Sequence, residues 1–264
     1  MAVIKKQWGR FTLFYYSSFV DPASLVRWLS DSQIVAGKGR GGIRLIETEG
    51  PRLAVRKYLH GGLFRALTRD LFLNQGRVTA EAEVLVYLRD KGFPVVAPFA
   101  GIVEKLPFFR KLYLVTVFEE DVISFLEYLQ QSGRRQKLRI VQKLARLMWQ
   151  LEKEGVYHPD LHLRNVLVTK ENELILLDFD RARRKTINPG DMRRMFRRLG
   201  RFTEKMERRG QLTVGRMEKA LFLRTYARLS GVDMARTMEA EEKTRGYLHR
   251  AGWFMESVLY GARQ

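Results

Sequence analysis

The stretch Val156–Thr169 reads VYHPDLHLRNVLVT and holds two of the four histidines in a chain of 264 residues. Asp160 stands between them, and Asn165 follows five residues later. Further on, LLDFD places Asp178 eighteen residues beyond Asp160. NVLVT and ELILLDF both read as short strands, and in a strand–turn–strand the three polar side chains can converge on one small volume. Oxygen ligands of this kind suit a hard cation such as magnesium, which Asn165 and Asp178 would hold. Asp160 is left to accept a proton from a substrate hydroxyl. A simple turn, with Asp160 capping a helix and His158 satisfied in the core, accounts for the first motif but not for the second at this distance. His158 reads as structural, hydrogen-bonding the backbone near Asp178, and His162 is left open.

The composition narrows the partners. There are 48 Lys+Arg against 29 Asp+Glu, a net charge of +19. Such an excess favours a polyanion: nucleic acid, an anionic membrane face or a phosphorylated substrate. The hydrophobic fraction of 45% is enough for a sizeable core. No run approaches the roughly 18 apolar residues of a membrane span. The N-terminal MAVIKKQWGRFTLFYYSSFV is interrupted by Gly9, Arg10, Thr12, Ser17 and Ser18, and no small-residue cleavage site follows. It reads as folded protein that stays in the cytoplasm. The absence of cysteine excludes disulfides and thiolate metal sites.

Working outward from the motif, the chain divides by element type. FTLFYYSSFV reads as a strand or a packed apolar segment, and DPASLVRWLSD as a helix with Asp21 at the N-cap and Pro22 at the first helical position. IVAGKGRGGIRLIETEGPRLAVRKYL reads as two or three short strands around a glycine-rich turn. Helical spacing runs from Thr79 to Lys91 and is closed by Gly92 and Pro94. KLYLVTVF is a central-strand pattern, EED a linker, and the remainder is mostly helical. A β-rich part with one helix, a connector and an α-rich part make two lobes with a cleft between them.

A phosphoryl transferase needs backbone amides and a cation on the phosphates, oxygen ligands for magnesium, and a base near the acceptor hydroxyl. HPDLHLRN resembles the H-R-D-L-x-x-x-N catalytic loop of protein-kinase-like enzymes, and LLDFD resembles their D-F-G segment. Pro159 replaces the usual arginine, Asp180 replaces the glycine, and no A-P-E segment follows. These departures point to small-molecule or glycan kinases of the superfamily. Against the same template, GKGRGG places Gly37, Gly39 and Gly42 as G-x-G-x-x-G between two strands, with Arg44 where valine is usual. LAVRKY corresponds to the V-A-I-K strand. Period-2 alternation puts Ala54 and Arg56 on one face, the first to pack on adenine and the second to meet the phosphates. A one-residue register shift would give that role to Lys57. Glu81 precedes Val84, Leu85 and Leu88 by three, four and seven residues, which places it to pair with the strand cation, while Glu83 points elsewhere.

A narrower resemblance rests on RKYLHGGLFR, GFPVVAPFAGIV, GVYHPDLHLRNVLV, LLDFDRAR and LFLRTYARL. Together these look like the lipopolysaccharide kinases, which phosphorylate inner-core sugars and include 3-deoxy-D-manno-octulosonic acid (Kdo) kinases and heptose kinases. The likeness runs from about Gly37 to the C-terminus. It implies an α+β, two-lobed protein-kinase-like fold with a β-rich N-lobe and an α-helical C-lobe. The expected division is an N-lobe over 1–118, with an N-terminal extension, the glycine-rich loop and one regulatory-type helix, then a hinge over 119–123 and a C-lobe over 124–264. It also implies ATP and magnesium, a lipopolysaccharide core or lipid A precursor as acceptor, and a peripheral position on the cytoplasmic face of the inner membrane. The phosphorylated acceptor and the anionic leaflet would account for the basic charge. Kdo and heptose stay open as acceptors, as does the oligomeric state. Other readings are a different small-molecule or protein kinase, a catalytically inactive scaffold, and a nucleic-acid-binding protein using RARRKTINPGDMRRMFRRLGR (Arg181–Arg201). The last does not explain the spacing of Asp160, Asn165 and Asp178.

Overall fold

The computed structural model describes residues 3–16, 20–31, 33–35, 43–60, 70–234 and 236. In its first part the strands are β1 (Ile4–Trp8), β2 (Phe11–Tyr15), β3 (Gln33–Val35), β4 (Ile43–Ile46), β5 (Leu53–Lys57), β6 (Pro98–Lys105) and β7 (Arg110–Val117). They form one antiparallel sheet in the order β1-β2-β6-β7-β5-β4-β3. Strand alternation sorts its two faces. Leu13 and Tyr15 join Leu53, Val55, Ile102 and Val115 on one side. Helix α1 (Pro22–Asp31) covers that side with Leu25 and Leu29. As the sequence implies, Asp21 caps this helix, accepting from the Ser24 amide at 3.0 Å. Phe14, Val103, Leu112 and Leu114 face the other way, against Val78, Leu85 and Leu88 of helix α2 (Gly76–Asp90).

Two elements depart from the sequence reading. Strand β1 was not expected, because IKKQW is exposed along its whole length and so lacks any one-sided apolar pattern. Helix α2 begins three residues before Thr79, with the Gly76 amide donating to Asn74 Oδ1 at 3.0 Å.

The second part contains β8 (Val122–Ser124), β9 (Val156–Tyr157), β10 (Val166–Thr169), β11 (Leu174–Leu176) and β12 (Arg183–Arg184), with helices α3 (Phe125–Gln131), α4 (Arg134–Lys153), α5 (Pro189–Arg208) and α6 (Arg216–Ser230). Helix α4 buries Ile140, Val141, Leu144, Met148 and Leu151, an apolar stripe at helical spacing. Tyr226 on α6 donates its hydroxyl to Glu152 on α4 at 2.7 Å. Strand β8 pairs with β10, so the chain enters the second lobe's sheet at Val122, within the residues expected as connector.

The lobes share one apolar cluster in which α2 and the sheet meet α3, α4 and α5. A backbone bond from the Leu176 amide to the Pro94 carbonyl at 2.9 Å stitches β11 to the loop after α2. Among the described residues no helix is long and apolar enough to cross a membrane.

Candidate active site

The loop that carries Asp160 is shaped by Gly155. Its φ is +64°, and a Cβ there would sit 2.9 Å from the Lys185 carbonyl, so only glycine fits. This close approach lets β9 pair with β12 and launches the chain into His158. Leu161 and Leu163 then sink into the core, while the Asp160 side chain just before them stays 44% exposed. A single 3₁₀ turn over Leu163–Asn165 follows. Asn165 is buried; its amide nitrogen donates to the Asp160 carbonyl at 3.3 Å, and its own carbonyl accepts from the Leu177 amide at 2.9 Å. Asn165 therefore ties the Asp160 loop, through its side chain, to the end of the β10–β11 hairpin, through its backbone.

Asp178 follows that hairpin with φ +59°, in the left-handed region. An L-residue held there costs roughly 1–2 kcal/mol. The kink buries Phe179 completely beneath the His158 ring, 4.7 Å between centroids, while the Asp178 side chain stays 39% exposed. His158 is itself fully buried, and burial pushes its pKa down to about 4. Its ring interacts with the backbone of Leu177, the residue before Asp178, where the sequence reading placed a hydrogen bond, although neither ring nitrogen makes one of ordinary geometry.

Arg56 links the two lobes. Its Nη1 donates to Asp178 Oδ1 at 2.6 Å, and its Nη2 pairs with Glu81. Glu81 also accepts from the Tyr58 hydroxyl at 2.5 Å. Burial raises the Glu81 pKa, with the Arg56 charge pulling against it. Burial alone would lower that of Arg56, but Glu81, Tyr58 and Asp178 outweigh it and drive the net shift upward. Lys57 points to the opposite face and pairs with Asp70. A planar fork can span two carboxylates where an ammonium is a point charge, which gives a reason for arginine on this strand.

Three further contacts were not read from the sequence. Asp180, at the position of the usual glycine, pairs with Arg77, whose Nε donates to Oδ1 at 2.5 Å. Arg77 stands four residues before Glu81 on the same face of α2, a spacing that carried this information. Arg198 Nε donates to Asp160 Oδ1 at 2.7 Å. Nothing in the run of arginines on α5 singled it out. Its place is set by the start of α5, where Asn188 and Asp191 cap each other's amides at 2.9 and 3.1 Å. His162, left open in the sequence, stacks on Phe202 with centroids 4.6 Å apart. Gly37, Gly39 and Gly42 lie outside the described residues, and Ala54 is partly buried on β5.

The sequence profile of the lipopolysaccharide kinase (Kdo/WaaP) family matches residues 27–226. The chain belongs to this family. Similar proteins include the 3-deoxy-D-manno-octulosonic acid kinase of Vibrio vulnificus strain CMCP6, 26% identical over 188 residues, which cover 67% of this chain and 79% of that one. The protein of the same name from Vibrio cholerae serotype O1 is 27% identical over 160 residues, 59% of this chain and 67% of its own. That of Xanthomonas oryzae pv. oryzae strain PXO99A is 28% identical over 159 residues, 59% and 63%. As a member of the Kdo/WaaP family the chain is a two-lobed, protein-kinase-like phosphotransferase that uses ATP.

The donor set can be tested against the magnesium that usually accompanies ATP. Among the described residues no group of three or more acidic or histidine side chains forms a metal cage. Magnesium does not need one, since it binds through one or two carboxylates and completes its shell with water and phosphate oxygens. The half-exposed carboxylate of Asp178 and the amide oxygen of Asn165 fit such a partial site.

Proposed function

We propose that this chain transfers the γ-phosphoryl group of ATP to a hydroxyl of an inner-core lipopolysaccharide sugar. The acceptor favoured is a Kdo residue, because the similar proteins carry that name. The observation that carries the reading is the linkage Glu81–Arg56–Asp178, which sets a cation and a half-exposed carboxylate together beside the loop of Asp160 and Asn165.

Each residue then has a task. Asn165 and Asp178 hold magnesium, which when bound neutralises charge on the phosphates. Arg56, fixed by Glu81, meets the phosphates; Ala54 packs on adenine; Gly37, Gly39 and Gly42 offer backbone amides. Asp160 orients the acceptor hydroxyl and takes its proton. The acceptor oxygen bonds to the γ-phosphorus as the bond from that phosphorus to the departing ADP oxygen breaks. The lobes are taken as 1–118 and 124–264 around a hinge at 119–123.

The enzyme would work as a peripheral protein on the cytoplasmic face of the inner membrane, where the lipid A precursor and the leaflet are both anionic. The nucleic-acid reading is weaker, since Arg194 and Arg198 of the basic segment are engaged by Asp191 and Asp160. The deciding experiment is mass spectrometry of lipopolysaccharide core from cells with and without this protein. A phosphate lost from a core sugar is expected; an unchanged core would overturn the proposal.

A further inference from the structure

The carboxylate assigned as base carries a cation of its own. Arg198 Nε meets Asp160 Oδ1 at 2.7 Å, and the two side chains are 32% and 44% exposed. A pair this open adds little to stability, so folding alone does not account for it. The contact is side-on and uses one of the five N–H donors of the guanidinium. Among the described residues no other acceptor takes up the remaining donors. The surroundings are basic and aromatic: Arg164 stands over the Phe202 ring at 5.8 Å, and His162 stacks on the same ring. Burial lowers the His162 pKa, so that ring adds no charge of its own near neutrality.

We propose that Arg198 is the specificity-determining contact for the acceptor, its outer N–H edge binding a carboxylate on the sugar that is phosphorylated. This rests on the phosphoryl-transfer reading with Asp160 as base. A hydroxyl must come within about 3 Å of Asp160 to lose its proton. A carboxylate binds guanidinium at about 2.8 Å. Because Arg198 is itself bonded to Asp160, these two substrate groups stand roughly 4–7 Å apart by those contact lengths. One sugar ring spans that gap. A sugar acid satisfies both groups at once, whereas a neutral heptose leaves the fork without its anion. Arginine reads a planar carboxylate through two parallel bonds, which also fixes which hydroxyl faces Asp160.

The test compares wild type and Arg198→Gln on two lipid-linked acceptors: a Kdo-bearing lipid A precursor and the same molecule with the Kdo carboxylate reduced to an alcohol. The lipid A phosphates are identical in both, so any difference between acceptors comes from the carboxylate. Reduction should lower wild-type kcat/KM by roughly 10- to 100-fold, mostly through KM, the range of a charge-assisted hydrogen bond. Arg198→Gln should lose a similar factor on the acidic acceptor and little more on the reduced one. Arg198→Lys, which keeps the charge without the fork, should recover part of the loss on the acidic acceptor. Unchanged stabilisation by magnesium-ATP in thermal denaturation shows that the variants are folded. Equal losses on both acceptors, or a wild type indifferent to reduction, would overturn the proposal. No transfer to the intact acceptor by wild type would instead sink the phosphoryl-transfer reading beneath it.

Discussion

Arg56 Nη1 lies 2.6 Å from Asp178 Oδ1, joining the fifth strand of the N-terminal sheet to a segment 122 residues further along the chain. The same guanidinium holds the buried Glu81, so one side chain sets α2, the sheet and the Asp178 segment in a fixed relation. Arg56→Ala should cut kcat/KM by about 10²–10³-fold, the usual cost of losing a preorganised charge at the reacting phosphate. Lys57→Ala removes only a pair with Asp70 on the opposite face and should leave catalysis nearly intact. Steady-state kinetics on both variants decide it, and comparable losses would contradict the assignment.

Asp160→Asn keeps the shape of the loop and removes the proton acceptor. It should lower kcat by about 10²–10⁴-fold. Nucleotide affinity should hold. Asp178→Ala should do the reverse, weakening nucleotide binding mainly in the presence of magnesium. Calorimetric titration of ATP with and without the ion separates the two roles, and an Asp160→Asn enzyme with ordinary turnover would remove Asp160 from the mechanism.

The positions that local spacing determines were legible in the sequence. Asp160, Asn165 and Asp178 flank a hairpin whose two short apolar strands are plain in the sequence, and Ala54 and Arg56 share a face because side chains alternate along any strand. Glu81 could be placed because helix periodicity aligned it with three apolar neighbours. What escaped was long-range. Arg198 reaches Asp160 from 38 residues away, and no local pattern separates it from the arginines around it. Strand β1 escaped for the opposite reason: an exposed edge has no buried face to write an alternation into its sequence.

Asp180 and Arg77 form a clasp between the segment after β11 and α2, both side chains mostly buried at 16% and 28% exposure. Asp180→Gly, which restores the common residue of the D-F-G segment, should destabilise the fold by about 2 kcal/mol, within the range for hydrogen bonds to charged groups. Activity should fall with it, because α2 carries Glu81. The exchange Arg77→Asp with Asp180→Arg should recover part of both losses. Chemical denaturation of the singles and the double forms the cycle, and a double variant no better than the sum of the singles would show that the pair is not coupled.

His158 makes the fold sensitive to acid. Its pKa falls from 6.5 to about 4 on burial, so the unfolded chain binds the proton more readily than the folded one. Stability from this residue is complete above about pH 6.5 and is lost as the pH falls towards 4. The full loss is about 3 kcal/mol at 1.4 kcal/mol per pH unit. His158→Leu should flatten the stability profile across that window relative to wild type. Parallel slopes for the two proteins between these pH values would rule the mechanism out.

The surface that would face the membrane can be sought along α5. Arg194 and Arg198 are held by Asp191 and Asp160, so these two arginines of α5 are poor candidates for lipid contact. The cations that continue outward from Arg198 are Arg201, Lys205 and Arg209, spaced three or four residues apart and all exposed. That spacing lines them along one face, in register with the residue that touches Asp160. A stripe leading from the acceptor site to the helix end is where an anionic leaflet would lie if the substrate is drawn from it. Each such cation near an anionic surface contributes about 1 kcal/mol, so replacing all three by glutamine should weaken vesicle binding by roughly 100-fold, more steeply at low salt. Magnesium-ATP affinity should not change, because Arg56 and Asp178 are paired with each other and with Glu81, not with any of these three cations. Sedimentation with vesicles containing phosphatidylglycerol, at two salt concentrations, reads the effect. A folded triple variant that binds such vesicles as tightly as wild type at low salt would show that the membrane meets some other face.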